Sequence, residues 1–382
     1  MSSDFCVESE EMLTLTNKTP KYINNIFSVD ELSESEQSQL FEVTRRFRFH
    51  TNDYYLSLID WDDPDDPIRR IIVPDLDELD EWGDLDPSNE KDYTVLPGLE
   101  HKYPSTALLL ASKACGGICR YCFRKRVFIQ GHDETLKDLN RAIQYINRHE
   151  EITNVLITGG DSLALPTSRL ENIIHQLTHI QHLRIIRLGT KMVAFNPYRI
   201  VDDLNLMDLI FECCHSGKQV YIMTHFTHPR EVTDIAIKAV LSLQQAGAII
   251  CNQTPIINGV NHDPNVLAEL FQNLTAIGVA PYYIFQCRPS RGNRSYAVPV
   301  EEGYQIFEKA KSFVSGLAKR ARFVMSHQSG KIEIVGLSEE NIYLKYHRAY
   351  RQSDSGKFMV MKRNPQAFWL DDYDDAMASQ PL

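Results

Sequence analysis

Short apolar runs alternate with longer amphipathic stretches from residue 107 onward. Six runs are almost entirely apolar, which is typical of strands buried on both faces; they span 107–112, 154–159, 184–189, 219–225, 248–254 and 281–287. The stretches at 136–149, 168–180, 232–247 and 265–278 have helical spacing. Gly247 and Gly278 follow the last apolar position of their helices, where a left-handed cap is expected. This repetition predicts a parallel sheet with right-handed crossovers.

The same pattern predicts an α/β fold in three parts. Residues 99–316 are predicted to form a partial (βα)6 barrel with its site at the carboxyl ends of the strands. An open doubly wound sheet fits the pattern as well. Residues 1–98 are predicted as a helical, wrapping segment, because helical spacing over 30–49 is followed by two acidic runs. Residues 317–382 are predicted as a short extension with two strands around a glycine-containing turn, followed by a hairpin or extended segment.

Composition and charge narrow the classes of partner. A hydrophobic content of 43% and a charged content of 24% are ordinary for a soluble globular protein. The net charge of -11 argues against a nucleic-acid partner, which needs a basic surface. The acidic runs, including 74–92, are interpreted as solvated faces. The first residues lack the features of a secretion signal, and no apolar run reaches the roughly 18 residues of a membrane span, so a cytoplasmic protein without a membrane partner is predicted.

Three cysteines are clustered directly after the first predicted strand. Cys115, Cys119 and Cys122 have the spacing C-x3-C-x2-C. In a chain without a secretion signal, clustered thiols indicate metal ligands. Three thiolates can hold three irons of a 4Fe–4S cluster and leave the fourth iron open. A structural zinc site is the alternative, but it needs four ligands, usually from paired knuckles, and no second knuckle follows.

The open iron is the chemically important feature of such a cluster. It can bind the amino and carboxylate groups of S-adenosylmethionine and pass one electron to the sulfonium, which releases a 5′-deoxyadenosyl radical. This chemistry requires a one-electron reductant of the flavodoxin or ferredoxin type. Gly159, Gly160 and Asp161 end the second predicted strand, where glycines allow backbone groups to approach a ligand closely. A glycine pair after a strand is otherwise an ordinary tight turn.

These motifs resemble those of the radical S-adenosylmethionine superfamily, in which a Gly-Gly-Asp or Gly-Gly-Glu turn holds the cofactor's methionine ammonium. Several longer segments are similar to lysine 2,3-aminomutase and its relatives across roughly residues 95–335: HKYPSTALLLASKACGGICRYCFRKR, NVLITGGDSL, RLGTKMVAFNPYRI, HFTHPREVT, CNQTPIINGVN and PYYIFQC. The resemblance implies an isomerase that moves an amino group from C2 to C3 of an amino acid. It also implies three cofactors: the cluster, S-adenosylmethionine and pyridoxal 5′-phosphate (PLP).

The resemblance also implies roles for residues around the cofactors. Lys331, in the turn Ser329-Gly330-Lys331, matches the lysine that forms a Schiff base with PLP, and such a lysine needs a lowered pKa. The alternative is a surface lysine in a hairpin. Gln253 matches a polar residue near the S-adenosylmethionine site.

Other matched positions lie near the substrate and the PLP phosphate. Arg124 matches the arginine that binds the substrate carboxylate, a task that suits a planar guanidinium; otherwise it belongs to a solvated basic loop. Lys102 and Tyr103 match a basic and an aromatic residue near the cofactors. The family arginine expected four residues after Lys102 is Thr106 here, which leaves phosphate binding in doubt.

The chain departs from the lysine-specific pattern at the distal end of the substrate. Lysine-specific members use two aspartates to bind the distal ammonium; this chain has Arg288 at one position and Ser326 or His327 at the other. A buried arginine facing an ammonium would be unfavourable. A substrate with an acidic side chain, as in the glutamate 2,3-aminomutase branch, is therefore expected, unless Arg288 points elsewhere.

Two other functions remain open from the sequence. The chain could isomerise a lysine carried by a translation factor, since an acidic surface suits a basic protein partner, or it could be a non-catalytic iron–sulfur or zinc module. The family tends to associate, so the resemblance allows a homo-oligomer. The roles of the first hundred residues and of the tail beyond about residue 335 are not predicted.

Overall fold

The computed structural model describes residues 15–129 and 134–373. The first fourteen residues, from which the absence of a secretion signal was predicted, lie outside the described residues. The strands are β1 (Tyr22–Ile23), β2 (Thr51–Asn52), β3 (Thr94–Leu96), β4 (Leu99–Tyr103), β5 (Thr106–Ser112), β6 (Asn154–Gly159), β7 (Ile185–Thr190), β8 (Gln219–Thr224), β9 (Ile249–Pro255), β10 (Ala280–Phe285), β11 (Arg322–His327), β12 (Gly330–Leu337), β13 (Asn341–Ala349) and β14 (Phe358–Lys362). The helices are α1 (Glu34–Arg46), α2 (Asp53–Leu56), α3 (Pro67–Ile72), α4 (Leu139–Arg148), α5 (Thr167–Thr178), α6 (Met192–Phe195), α7 (Tyr198–Val201), α8 (Leu204–His215), α9 (Asp234–Gln245), α10 (Pro264–Ala276) and α11 (Val300–Ser312).

The strands β3 to β14 form one twelve-stranded sheet whose spatial order follows the chain order. The strands β5 to β11 pair in parallel, and antiparallel strands extend the sheet at both ends. This arrangement confirms the predicted α/β fold with a parallel sheet. A doubly wound sheet reverses its strand order at a switch point, and this sheet does not. The sequence assigned β11 to the C-terminal extension, yet it pairs in parallel with β10.

The helices have the terminal signals that their sequences predict. Ser33 and Glu36 form a reciprocal capping box at the start of α1. Pro264 is the first residue of α10, and Asp263 caps it by accepting a hydrogen bond from Asn265 N. Gly278 ends this helix with a φ of 77°, which is the predicted left-handed cap.

The parallel strands bury one face under the helices and turn the other towards a cavity. Along β6 and β7, buried and half-buried residues alternate strictly. The buried set packs against α4, α5, α8 and α9 in the largest apolar cluster of the described residues. The half-buried set includes Leu156, Thr158 and Arg187, which line the cavity. The sequence analysis predicted that both faces of these strands are buried. The inner face is only half-buried because it surrounds the open space of the cavity.

The described part of the N-terminal segment packs against segments that follow two of the parallel strands. Tyr55, Ile71 and Ile72 are fully buried against Phe195 and Tyr296, which follow β7 and β10. No helix within the described ranges is long and apolar enough to cross a membrane. Ser88, Glu90 and Tyr93 of the N-terminal segment line the cavity, so the described part of this segment forms one of the cavity walls.

Candidate active site

One cavity of about 360 Å³ contains every residue that the sequence assigned to a cofactor or to the substrate. Its walls are the inner face of the parallel strands and the segments that follow them. The predicted residues that line it are Cys115, Cys119, Cys122, Arg124, Gly159, Gly160, Asp161, Gln253, Arg288 and Lys331. Volumes of this size are typical of small-molecule sites.

The cysteine loop follows β5 and is held by the N-terminal segment. His50 Nε2 lies 3.0 Å from the carbonyl oxygen of Cys115. The amide of Ile118 donates to His50 O at 2.9 Å, and Asn52 Nδ2 donates to Gly116 O at 3.2 Å. Polar backbone groups of a buried loop need such partners, so these contacts fix the loop that carries the three thiols.

A buried ion pair adds a second anchor to this loop. Arg120 is 1% exposed, and its Nε and Nη2 donate to the two carboxylate oxygens of Glu78 at 2.8 and 2.9 Å. Lys125 Nζ lies 3.1 Å from the same carboxylate. Burial opposes the ionisation of Glu78, but the charges of Arg120 and Lys125 hold its pKa below the ordinary value. These ion pairs therefore fix the cysteine loop to the segment that carries Glu78.

The three thiols fit a cluster better than a single metal ion. All three are free and lie against the cavity. Burial raises the pKa of Cys119 to about 12 and that of Cys115 well above its ordinary value, and the neighbouring cysteine charges add to both shifts. Within the described chain, no three His, Cys, Asp or Glu side chains are placed to hold one ion. A cubane cluster bonds each thiolate to a different iron, so it does not need them to converge on one point.

The Gly-Gly-Asp turn packs directly on the cysteine loop. Gly160 N donates to Ser112 O at 2.7 Å, and Asp161 N donates to Ala114 O at 2.8 Å. A Cβ on Gly160 would lie 2.2 Å from Ala114 O. The carboxylate of Asp161 accepts a hydrogen bond from the amide of Leu163 at 2.9 Å. The glycines thus allow close approach of two backbone segments.

Lys331 projects from β12 into an aromatic part of the cavity. Its Nζ lies 4.2 Å from the ring centre of Tyr283 and 4.6 Å from that of Phe285. Burial lowers the pKa of Lys331 well below its ordinary value, and the charges of Arg288 and Arg348 add to the effect. The side chain is therefore not the exposed hairpin lysine of the alternative, and the lowered pKa favours the amine as a nucleophile.

Arg124 is engaged by a carboxylate that the sequence did not single out. Its Nε and Nη2 donate to the two oxygens of Glu90 at 2.9 and 3.0 Å. Arg126 and Arg288 approach the same carboxylate at 2.6 and 3.4 Å. Burial opposes the ionisation of Glu90, yet these three arginines hold its pKa well below the ordinary value. The Nε and Nη2 groups of Arg124 are therefore already paired with a carboxylate of the protein itself.

Arg288 points into the cavity. Its guanidinium carbon lies 3.8 Å from the ring centre of Phe123. Ser326 lines the same cavity, whereas His327 faces Ser329 and Asp371, at 2.7 and 3.1 Å from its ring nitrogens. Neither position offers a carboxylate to a substrate ammonium.

Glu100 on β4 is a second buried carboxyl at this wall. It is 6% exposed, and its Oε1 has no hydrogen-bond partner among the described residues. Arg124 Nη2 lies 3.9 Å away. Burial raises the pKa of Glu100 to about 8, and the charge of Glu90 acts in the same direction. At pH 7 the carboxyl group of Glu90 is thus ionised, while that of Glu100 is mostly neutral.

The remaining matched residues line the same cavity as Lys331. Lys102 Nζ donates to His327 O at 2.7 Å, and burial followed by the charge of Arg288 lowers the pKa of Lys102 to about 8. Tyr103, Thr106 and Gln253 line the cavity.

Several residues of the site were missed from the sequence. Glu78 and Glu90 belong to the acidic run 74–92, whose interpretation as a solvated face is wrong for these two buried side chains. Glu100, Arg187 and Arg348 also line the cavity without having been identified. A signal was available for Glu90, because the basic residues at 124–126 need counter-charges if they are buried.

Comparisons with known proteins show the family of the chain. No protein-family model matches the chain. A protein of Aquifex aeolicus named "Putative L-lysine 2,3-aminomutase" is 51% identical over 94% of this chain and 97% of its own length. The glutamate 2,3-aminomutase of Clostridioides difficile is 36% identical, over 84% of this chain and 78% of its own. The L-lysine 2,3-aminomutase of Clostridium subterminale is 35% identical, over 77% and 71%. The chain therefore belongs to the lysine 2,3-aminomutase family of radical S-adenosylmethionine enzymes.

Proposed function

We propose that this protein is an isomerase that moves an amino group from C2 to C3 of a free amino acid, using a 4Fe–4S cluster, S-adenosylmethionine and PLP. The observation that carries the proposal is that one cavity is lined by both the cysteine loop and the half-buried Lys331. A radical generator and a lysine of lowered pKa in one enclosed space are the two parts that this reaction requires. A one-electron reductant, such as a flavodoxin or ferredoxin, is the implied partner.

Each group of residues has a defined task in this proposal. Cys115, Cys119 and Cys122 hold the cluster, while Gly159, Gly160, Asp161 and Gln253 contact S-adenosylmethionine. When bound, the cluster and S-adenosylmethionine supply a carbon-centred radical, and PLP supplies a π-system through which the amino group can move. Lys331 presents a neutral amine to PLP, and the aromatic side chains around it exclude water.

We also propose an acidic substrate side chain. Arg124 and Arg288 line the cavity and share the carboxylate of Glu90, whereas Arg126 is also paired with Glu134 and Asp86. Because Glu100 is mostly neutral, this wall keeps a positive balance from its two lining arginines. A positive wall disfavours a second ammonium and favours a carboxylate. The carboxyl groups of the substrate would bind at the N–H groups of Arg124 and Arg288 that Glu90 does not engage.

The parts of the chain correspond to these tasks. Residues 99–316 are a partial (βα)6 radical S-adenosylmethionine barrel, residues 1–98 wrap its mouth, and residues 317–382 carry the PLP lysine. The parallel pairing of β5 to β10 and the position of Lys331 on β12 support this division, while β11 continues the parallel sheet beyond residue 316. A lysine within a translation factor is not favoured as substrate, because the relatives reported above are named for amino acids.

The test is an anaerobic assay of the reconstituted, reduced enzyme with S-adenosylmethionine and PLP. Glutamate, aspartate and lysine are supplied separately, and 5′-deoxyadenosine and the β-amino product are measured. We expect product with an acidic amino acid. Turnover of lysine alone would refute the substrate assignment, and failure to form 5′-deoxyadenosine under all conditions would refute the radical function.

Lys331→Ala separates the two halves of the proposal. The variant should retain the iron of the cluster but lose the β-amino product by at least about 1,000-fold, since removal of a covalent catalytic group has effects of this order. Lys319→Ala removes an exposed lysine and serves as the control. Normal product formation by the Lys331 variant would exclude its assigned role.

A further inference from the structure

A group of positive charges surrounds Lys331 without matching carboxylates. Lys331 and Arg348 are direct cross-strand partners in the antiparallel pair β12–β13. Side chains of such partners lie on the same face of the sheet, so the guanidinium of Arg348 lies on the face that carries the amine of Lys331. Arg187 of β7 and Lys102 of β4 line the same cavity, and both lower the pKa of Lys331. The arrangement calls for an anion between these groups.

The contacts of Arg348 leave its charge uncompensated. Its Nη2 donates to Thr106 Oγ1 at 3.0 Å and to Ser105 Oγ at 3.3 Å. Its guanidinium carbon lies 4.2 Å from the ring centre of Tyr103. Arg187 Nε donates to the side-chain oxygen of Asn154 at 2.9 Å. All of these partners are neutral, and in the described part of the chain neither arginine forms an ion pair with a carboxylate.

The position of Arg348 explains how this chain tolerates Thr106. The family resemblance places an arginine at position 106, and this chain has a shorter hydroxyl residue there. Arg348 reaches that hydroxyl from the opposite end of the chain, so its guanidinium lies next to the position from which the arginine is missing. The two hydroxyls and the Tyr103 ring hold the guanidinium in place.

We propose that Arg348 is the phosphate-binding arginine for PLP in this protein and replaces the arginine that the family carries at position 106. A guanidinium suits this task because its N–H groups match the oxygens of a phosphate. The inference rests on the proposed function, since it presupposes PLP at Lys331. It also gives a role to the tail beyond residue 335.

The test compares binding of PLP with binding of pyridoxal, which lacks the phosphate. Both ligands are titrated into apo-protein and followed by absorbance. Arg348→Ala should weaken PLP binding about 10- to 100-fold, the effect expected from loss of a charge-assisted hydrogen bond, and should leave pyridoxal binding unchanged. Arg351→Ala, which removes an exposed arginine just beyond the same strand, should change neither.

A second variant guards against an indirect effect on folding. Thr106→Arg combined with Arg348→Ala restores an arginine at the family position and should recover most of the PLP affinity. Unchanged PLP affinity in Arg348→Ala, or an equal loss for PLP and pyridoxal, would overturn the inference while leaving the proposed function intact. If the wild-type protein binds no PLP, the proposed function and this inference both fail.

Discussion

The buried carboxyl of Glu100 gives a quantitative prediction about stability. In the folded protein its pKa is raised to about 8 from an ordinary value of 4.5, mainly by burial. The unfolded chain therefore releases the Glu100 proton at a lower pH than the folded protein does. The contribution of the neutral Glu100 side chain to the free energy of unfolding is fully present below pH 4.5. It is lost as the pH rises through about 8.

The size of the effect follows from the pKa difference. Each pH unit between the two pKa values corresponds to about 1.4 kcal/mol. Keeping Glu100 neutral in the fold thus costs about 3 kcal/mol at pH 7. Glutamine has nearly the same shape and does not ionise, so Glu100→Gln should raise the free energy of unfolding by at most about 3 kcal/mol at pH 7. This increase in the free energy of unfolding should vanish near pH 4 and should be larger at pH 9 than at pH 7.

Urea denaturation of the apo-protein at these three pH values, followed by circular dichroism, measures this difference. Glu302→Gln alters an exposed carboxyl and should show no such pH trend. A difference between Glu100→Gln and the wild type that does not change with pH would refute the reasoning. So would a variant that is less stable than the wild type at pH 7.

Two further substitutions test the anchoring of the cysteine loop. Gly160→Ala places a Cβ 2.2 Å from Ala114 O, so the loop must move, and S-adenosylmethionine cleavage should fall roughly 100-fold; Gly316→Ala, where a Cβ meets nothing within 4 Å, should match the wild type. Normal cleavage by Gly160→Ala would show that the contact is dispensable. Glu78→Gln leaves the buried Arg120 without its ionised partner and should lower the free energy of unfolding by about 3 kcal/mol in urea denaturation; a loss below about 0.5 kcal/mol, the ordinary effect of a surface substitution, would contradict this.

The parallel core was predictable because its information is local. The apolar run at 154–159 coincides with β6 (Asn154–Gly159), and the helix ends near Gly247 and Gly278 carry their own caps. The local sequence of a strand does not encode which strand it pairs with, or in which direction. The run around Phe323 has the same appearance in a parallel or an antiparallel pair, so the parallel pairing of β11 with β10 could be found only from the structure.

The spacing of the three cysteines predicts a metal-binding loop after β5, and the family resemblance predicts that Lys331 lies near it. The structure places both at one cavity, and their roles in holding cofactors stay predictions. The counter-charges of the neighbouring arginines could not be predicted. Glu90 pairs with Arg124 across 34 residues and with Arg288 across 198, and the local sequence around a carboxylate does not specify such distant partners. Arg348 was missed for the same reason, because only the register of β12 and β13 brings it beside Lys331.

The ion pairs between residues 78–90 and residues 120–126 have a consequence for the order in which the protein matures. Without Glu78 and Glu90, Arg120 and Arg124 would be buried without their carboxylate partners. The parallel sheet and its helices alone should therefore leave the cysteine loop open to water. We expect the thiols to adopt their final arrangement only after the N-terminal segment has docked. Since residues 78–90 are synthesised before the loop, they are available as soon as it emerges, and delivery of iron and sulfide should follow their docking.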